Sequence, residues 1–238
     1  MHIKNKVFIT HTSSSSCAGE DNKILFENIC QGKSGIKQDT KYFYESAPAI
    51  GKFTTPQNLE IRLKQQIEDI LAQSQLKDFT KTLLIVGSSV GGMSLSEEIF
   101  FEKKSYDSIN PKLHAIDTIA TLLRKHFDFY DDISFSTACT SSANALGYAY
   151  EVLSKGLYEN ALVIGADTLC QTTVGGFLTL GVLSSNPCRP FDKERDGMNV
   201  SEAIASLLLQ TKASSNAVEL CGVGYSSDAY HMTPMPMN

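Results

Sequence analysis

The sequence predicts an α/β fold in which a mostly parallel sheet is flanked by helices, and three features carry this prediction. Two near-continuous apolar runs, TLLIVG at 82–87 and ALVIGAD at 161–167, are typical of strands covered on both faces. Apolar residues at helical spacing precede or follow these runs. The alternation of strand and helix along the chain favours parallel strands joined by helical crossovers. With 238 residues, the chain is long enough for one sizeable domain, which we take to be residues 1–238.

The remaining elements are predicted from local apolar patterns and from glycine stop signals. In chain order they are a strand at 6–10, a helix at 21–32, an irregular segment at 33–56, a helix from Leu59, a helix at about 111–127, a strand at 133–137 and a helix that ends near Gly156. The strand-like runs at 203–210 and 217–225 lie close in sequence and are predicted to pair antiparallel. The tract Ser13–Ser16 is the one candidate for a disordered segment.

Composition and charge narrow the classes of function. A hydrophobic fraction of 42% and a charged fraction of 20% are typical of a globular protein. The net charge of −5 argues against a surface for nucleic acid or anionic membrane. No apolar run has the length of a membrane span or of a signal-peptide core, so a cytoplasmic location is expected. The six cysteines lack the two-residue spacing of zinc and redox motifs, so we expect free thiols and no metal.

Cys139 is the leading candidate for chemistry. It lies where a strand pattern gives way to a helix, in the segment ISFSTACTSSANALGYAYEVLSKG at 133–156. Unpaired N–H groups at a helix start favour an anion, and active sites of open α/β sheets collect at the carboxyl ends of strands. This position therefore predicts a nucleophilic thiolate that faces a pocket. The competing interpretation is a packing role, because free cysteine is among the most buried residue types.

Other segments give weaker indications of chemistry. The segment GSSVGGM at 87–93 lacks the lysine of a phosphate loop and the spacing of a dinucleotide fingerprint, so we expect it to permit a close backbone approach. No nucleophile is surrounded by the G-x-S-x-G or G-x-C-x-G elbow, which argues against an α/β-hydrolase. None of the five histidines has a local catalytic signature.

Five segments together resemble a known family. In chain order they are STACTSSANALGYAYEVLSKG, ENALVIGAD, GGFLTLGVLSS, CRPFDKERDG and YSSDAYHMT. Their sequence and order resemble the elongating beta-ketoacyl-acyl-carrier-protein synthases, the condensing enzymes of the thiolase superfamily that build fatty acids and polyketides. The resemblance runs from the segment KVFIT to Thr233, and it implies a thiolase-like fold of which this chain is the N-terminal half.

The resemblance also implies roles for particular residues. Cys139 matches the family's nucleophile, which takes an acyl chain from the phosphopantetheine thiol of an acyl carrier protein, so no cofactor of the chain's own is expected. The backbone N–H of Cys139 would be half of an oxyanion hole. Phe177 and Val90 match residues near the acyl pocket, whereas His231 and Thr233 match a loop near the pantetheine entrance. A homo- or heterodimer of the family type is implied as well.

The family's second half supplies groups that this sequence lacks. They are two histidines that stabilise the enolate of the malonyl thioester, a lysine, and a glycine-rich loop with the second oxyanion donor. Condensation is therefore expected to need a separate C-terminal half or a synthase subunit. One alternative is a non-catalytic partner subunit or inactive remnant that docks a synthase and carrier protein. The intact Cys139 argues against this alternative, because such partners typically lose the nucleophile. Another is a thiol-dependent hydrolase, which lacks an assignable base.

Overall fold

A computed structural model describes residues 5–40, 47–55, 57–74 and 76–227, and its elements follow the predicted alternation. The strands within these ranges are β1 Phe8–Ser16, β2 Ile36–Gln38, β3 Ala49–Gly51, β4 Thr82–Gly87, β5 Asp131–Phe135, β6 Asn160–Asp167, β7 Ala203–Gln210 and β8 Val218–Glu219. The helices are α1 Asn22–Cys30, α2 Leu59–Ser74, α3 Met93–Lys103, α4 Pro111–His114, α5 Ile116–Phe127, α6 Ser141–Ser154 and α7 Gln171–Thr179.

One sheet of six strands organises the molecule, in the order β5-β4-β6-β7-β1-β8. Strand β4 pairs parallel with both β5 and β6. Strand β7 is antiparallel to β6 and to β1, so β1 runs in the same direction as the three parallel strands. Four of these six strands therefore share one direction, and the predicted α/β fold class is confirmed.

Helices cover both faces of the sheet and divide the core into two layers. On one face, α2 and α5 pack against alternate residues of the central strands, including Leu84, Leu162 and Leu208. On the other face, α6 packs against the intervening residues, such as Ile85 and Val163. Because successive side chains of a strand point to opposite faces, strands buried on both sides must be apolar throughout. That requirement explains the continuous apolar runs in β4 and β6.

Strand β1 differs from the prediction, because it extends through the serine tract that was expected to be disordered. Ser13 lies opposite Ser206 in the antiparallel ladder, and Ser15 is buried. Serine has a weak local preference for strands, but pairing with β7 satisfies the backbone along the whole tract. Tertiary pairing thus overrides the local composition.

The expected pairing of the two C-terminal runs is wrong. Strand β8 pairs with β1 rather than with β7. The physical reason is that β7 lies inside the sheet, with both of its edges already hydrogen-bonded to β6 and β1. The segment 33–56, expected to be irregular, contains the short antiparallel pair β2 and β3.

The predicted helix at 111–127 is broken at Ala115, which has an extended ψ of 133°. The break exposes the carbonyl of His114, which accepts a hydrogen bond from the N–H of Gly92 at 2.9 Å. Helices α3 and α7 were not predicted, because their apolar residues do not recur along a single face. No helix within the described ranges is long and apolar enough to cross a bilayer.

Candidate active site

Cys139 lies between the end of β5 at Phe135 and the start of α6 at Ser141. Residues Ala138–Thr140 form a single 3-10 turn, and Cys139 is exposed. This is the predicted junction at the carboxyl end of a parallel strand. The exposure of Cys139 also removes the competing interpretation, in which the cysteine serves only to pack the core.

The residue before Cys139 has an unusual backbone conformation. Ala138 has a φ of 53°, in the left-handed region that residues other than glycine seldom adopt. Such a conformation persists only where the surrounding structure enforces it, and it is concentrated at functional sites. Here the carbonyl of Ala138 accepts from the Oγ of Ser141 at 2.6 Å and from the Oγ of Ser89 at 3.2 Å. These hydrogen bonds hold the turn that presents Cys139.

Two glycines allow the first turn of α6 to lie directly against the sheet. A Cβ built on Gly87 of β4 would lie 2.7 Å from the carbonyl oxygen of Ser141. A Cβ built on Gly165 of β6 would lie 2.3 Å from the Oγ of Ser142. Because real Cβ contacts are longer than this, glycine is required at both positions. The small side chains on both sides of this contact fix the height of α6 and of Cys139 above the sheet.

The loop after β4 is the second part of the site, and it contains Val90. The N–H groups of Ser89 and Val90 donate to the Oδ1 of Asp167, at 2.8 Å and 3.2 Å. Gly91 and Gly92 follow, and a Cβ on Gly92 would lie 2.2 Å from the carbonyl oxygen of Leu113. The predicted close backbone approach at this segment is therefore confirmed.

The third part of the site is α7, which carries Phe177 in a half-buried position. Glu97 of α3 caps the start of this helix, since its carboxylate accepts from the N–H of Gln171 at 2.6 Å and of Thr172 at 2.8 Å. A carboxylate at a helix N-terminus satisfies unpaired donors and stabilises the dipole. Helix α7 is thus anchored to α3, the helix that follows the loop with Val90.

The predicted site residues are therefore only partly brought together. Val90 and Cys139 lie at the same edge of the sheet, because each follows the carboxyl end of one of two neighbouring parallel strands, β4 and β5. Phe177 lies in α7, the helix after β6. His231 and Thr233 lie outside the described residues.

Two cavities formed by the described residues lie away from Cys139. One cavity of about 300 Å³ lies at the opposite end of β4 and β6, where Lys81 and Glu159 line it. A second cavity of about 200 Å³ is lined by Glu20 and Arg62. Neither includes Cys139, whose side chain is exposed.

Two described histidines have hydrogen-bonding partners among nearby hydroxyls. His114 contacts the Oγ of Ser96 in α3 at 3.0 Å, whereas His11 contacts the Oγ1 of its neighbour Thr10 in β1 at 3.1 Å. Within the described ranges, no three His, Cys, Asp or Glu side chains cluster as metal ligands would. At this edge of the sheet the described residues present one exposed thiol at a strand–helix junction, that of Cys139.

Two residues of this site, Ser89 and Asp167, were not predicted. Asp167 is the last residue of β6, and a polar residue at the carboxyl end of a buried parallel strand is a usable signal that the sequence does contain. Ser89 lies in a glycine-rich segment, where nothing local distinguishes it from Ser88. Its contact with Ala138 links residues 49 positions apart, which only the fold reveals.

Comparison with known proteins identifies the family that shares this arrangement. Residues 63–215, well over half of the chain, match the family described as "Beta-ketoacyl synthase, N-terminal domain". The chain belongs to this family. The beta-ketoacyl synthases are ketosynthase-type condensing enzymes of fatty-acid and polyketide synthesis, so the family predicted from the sequence is confirmed.

Individual relatives agree with this assignment. The 3-oxoacyl-[acyl-carrier-protein] synthase 2 of Staphylococcus aureus is 24% identical, with 99% of this chain and 66% of that protein covered. The synthase 2 of Coxiella burnetii is 25% identical, with 97% and 65% covered. A ketosynthase from Xenorhabdus doucetiae, solved in complex with its chain length factor, has a TM-score of 0.82 at 23% identity, with 96% of this chain and 63% of that chain covered. The chain thus spans about two thirds of the length of these relatives.

Proposed function

We propose that this beta-ketoacyl synthase chain is the acyl-accepting part of a condensing enzyme, with Cys139 as the nucleophile. The observation that carries the proposal is the position of Cys139, exposed after a left-handed residue at the junction of β5 and α6. An exposed thiol in this setting is accessible to a large substrate such as an acyl carrier protein. The reaction belongs to the acyl transfers, and the donor would be the phosphopantetheine thioester of the carrier protein.

The proposed transfer conserves atoms and charge. The Cys139 thiol loses its proton, and the thiolate attacks the carbonyl carbon of the acyl thioester to give a tetrahedral oxyanion. This oxyanion would be stabilised by the N–H of Cys139. Collapse of the intermediate forms the new thioester on Cys139 and breaks the bond to the carrier sulfur. The carrier thiol leaves and takes up the proton.

Substrate contacts are proposed for four further residues. Val90 follows β4 beside the cysteine turn, and Phe177 projects from α7, so each is proposed to contact the acyl chain. His231 and Thr233 are proposed to contact the pantetheine arm, on the resemblance of their segment alone. No cofactor beyond the carrier's own phosphopantetheine is proposed, and the proposed location is the cytoplasm.

We propose that condensation requires groups beyond these 238 residues, supplied by a C-terminal half or a synthase subunit. Decarboxylation of a malonyl thioester needs hydrogen-bond donors aimed at the enolate oxygen, and loss of one such donor typically slows a reaction by ~100- to 1,000-fold. Support for a partner comes from similar structures, which include a ketosynthase with its chain length factor and a polyketide acyl carrier protein in complex with its ketosynthase. The partner would be a synthase subunit or a separate C-terminal half, in a homo- or heterodimeric assembly.

One observation favours a second candidate function. Neither of the two described cavities includes Cys139, whose side chain is exposed. A non-catalytic partner subunit, or an inactive remnant that docks a synthase and carrier protein, would need no acyl pocket. The two candidates differ in whether Cys139 becomes acylated.

The test is to incubate the chain with acylated carrier protein and then with malonyl carrier protein. We expect acylation of Cys139 and no beta-ketoacyl product from the chain alone, and product when a synthase subunit is added. Product from these 238 residues alone would refute the need for further groups. Absence of any acylation, with or without the subunit, would favour the non-catalytic partner.

A further inference from the structure

The peptide unit that joins Ala138 to Cys139 is held by an unusual number of donors. The carbonyl oxygen of Ala138 accepts from the Oγ of Ser141 at 2.6 Å and from the Oγ of Ser89 at 3.2 Å. It also accepts from the backbone N–H of Ser141. A carbonyl has two lone pairs, so three donors on one oxygen leave this group little freedom to rotate.

The carbonyl of Ala138 and the N–H of Cys139 belong to the same planar, trans peptide unit. Donors that fix the direction of this carbonyl therefore also fix the N–H, which points the opposite way. Hydrogen bonds to a carbonyl also polarise its amide, so the N–H becomes a better donor. The contacts to Ala138 thus act on the group proposed to stabilise the oxyanion.

Ser89 is itself held in place from the neighbouring strand. Its backbone N–H donates to the Oδ1 of Asp167 at 2.8 Å, and the same oxygen accepts from the Oγ of Ser88 at 2.8 Å and from the N–H of Val90 at 3.2 Å. Hydrogen bonds to a carboxylate are stronger than those between neutral groups. Asp167 therefore fixes the loop that carries the Ser89 hydroxyl.

We propose that Ser89, held by Asp167, is a positioning residue that aims the N–H of Cys139 at the developing oxyanion. The proposal rests on the proposed function, because it assumes that Cys139 accepts an acyl group. Ser89 acts through the peptide of Ala138 and does not touch the substrate. Its effect is confined to reactions that pass through an oxyanion.

Two reactions of the same thiol separate this role from a general one. Acyl transfer forms a tetrahedral oxyanion, whereas alkylation by iodoacetamide does not. Ser89→Ala should slow acylation of Cys139 by about 5-fold, the effect expected for one ordinary hydrogen bond, and should leave its alkylation rate unchanged. Ser94→Ala is the matched control, because it removes a hydroxyl contact to Thr168 at 2.7 Å in the same region and should change neither rate.

If wild type is not acylated at all, the proposed function fails. A structural measurement then still tests whether Ser89 holds the peptide of Ala138. Amide hydrogen exchange at Ser141, whose N–H also binds the Ala138 carbonyl, should be faster in Ser89→Ala than in wild type or Ser94→Ala. Unchanged acylation together with unchanged exchange would overturn the positioning role. Equal losses of acylation and alkylation would also overturn it, because they would place the effect on the thiol.

Discussion

The contact between α6 and the sheet makes a quantitative prediction at Gly165. Replacing this residue by alanine introduces a Cβ 2.8 Å from the Cβ of Ser142 and 2.3 Å from its Oγ. The Oγ can rotate away, but the Cβ of Ser142 cannot, so helix and strand must separate by roughly 1 Å to reach normal carbon–carbon contact. Overpacking of this kind costs about 1–3 kcal/mol of the free energy of unfolding.

The same geometry predicts a specific rescue. Ser142→Gly removes both clashing atoms, after which the nearest atom to the new methyl is the Cα at 4.0 Å, an ordinary contact. Gly165→Ala and Ser142→Gly should therefore be strongly coupled, with the double variant recovering most of the lost stability. Gly87→Ala should not be rescued, because its new Cβ meets the carbonyl oxygen of Ser141 at 2.7 Å, which is backbone.

The assay is urea unfolding of the four members of each double-mutant cycle, from which the coupling free energy is obtained. We expect about 1–3 kcal/mol of coupling for the cycle at Gly165 and close to none for the cycle at Gly87. Gly176→Ala is the control substitution, since a Cβ there has no atom within 4 Å. A stable Gly165→Ala protein, or equal rescue at Gly87, would refute the close packing of α6 on the sheet.

Three further predictions concern other parts of the chain. Glu20→Ala should lower the free energy of unfolding by about 2 kcal/mol in a urea titration, because it removes the counter-charge of a buried guanidinium. That guanidinium belongs to Arg62, which is 7% exposed and lies 2.9 Å from the Glu20 carboxylate. An unchanged urea midpoint would contradict this prediction. Burial raises the pKa of the Cys170 thiol, so the folded state retains a proton that the unfolded state loses above about pH 8.5, and stability should fall as pH rises. That fall should be smaller in Cys170→Ala, and equal slopes would count against the burial of this thiol. Several large apolar side chains are exposed, among them Phe26, Leu180 and Phe191, so the chain should self-associate in sedimentation experiments, and a monomeric wild type would contradict this. Phe191→Asn should associate less, because asparagine suits the φ of 64° at this position and removes a fully exposed ring.

The parts of the fold that sequence predicts are those whose signal is local. The strands β4 and β6 were found with nearly their observed bounds, because strands buried on both faces must be apolar at every position. The strand–helix junction at Cys139 is predicted because the spacing of apolar residues changes from the alternation of a strand to the period of a helix within 133–156.

The parts that sequence does not predict depend on contacts distant along the chain. The serine tract in β1 is a strand because β7 pairs with it, and β8 joins β1 because β7 has no free edge. The left-handed conformation of Ala138 is not predicted by the local sequence, because one of the hydroxyls that donate to its carbonyl, that of Ser89, lies in a different loop.

Whether Cys139 takes up the acyl chain is tested most directly by mass spectrometry of the acylated protein. The chain is incubated with an acyl carrier protein that bears a saturated acyl thioester, and its intact mass and tryptic peptides are measured for wild type and Cys139→Ala. The exposed Cys30 and Cys188 serve as internal controls for nonspecific thiol exchange. We predict one acyl adduct, on the peptide that contains Cys139, and none in Cys139→Ala. An adduct that persists in Cys139→Ala, or that is spread over the exposed cysteines, would contradict the assignment of the nucleophile.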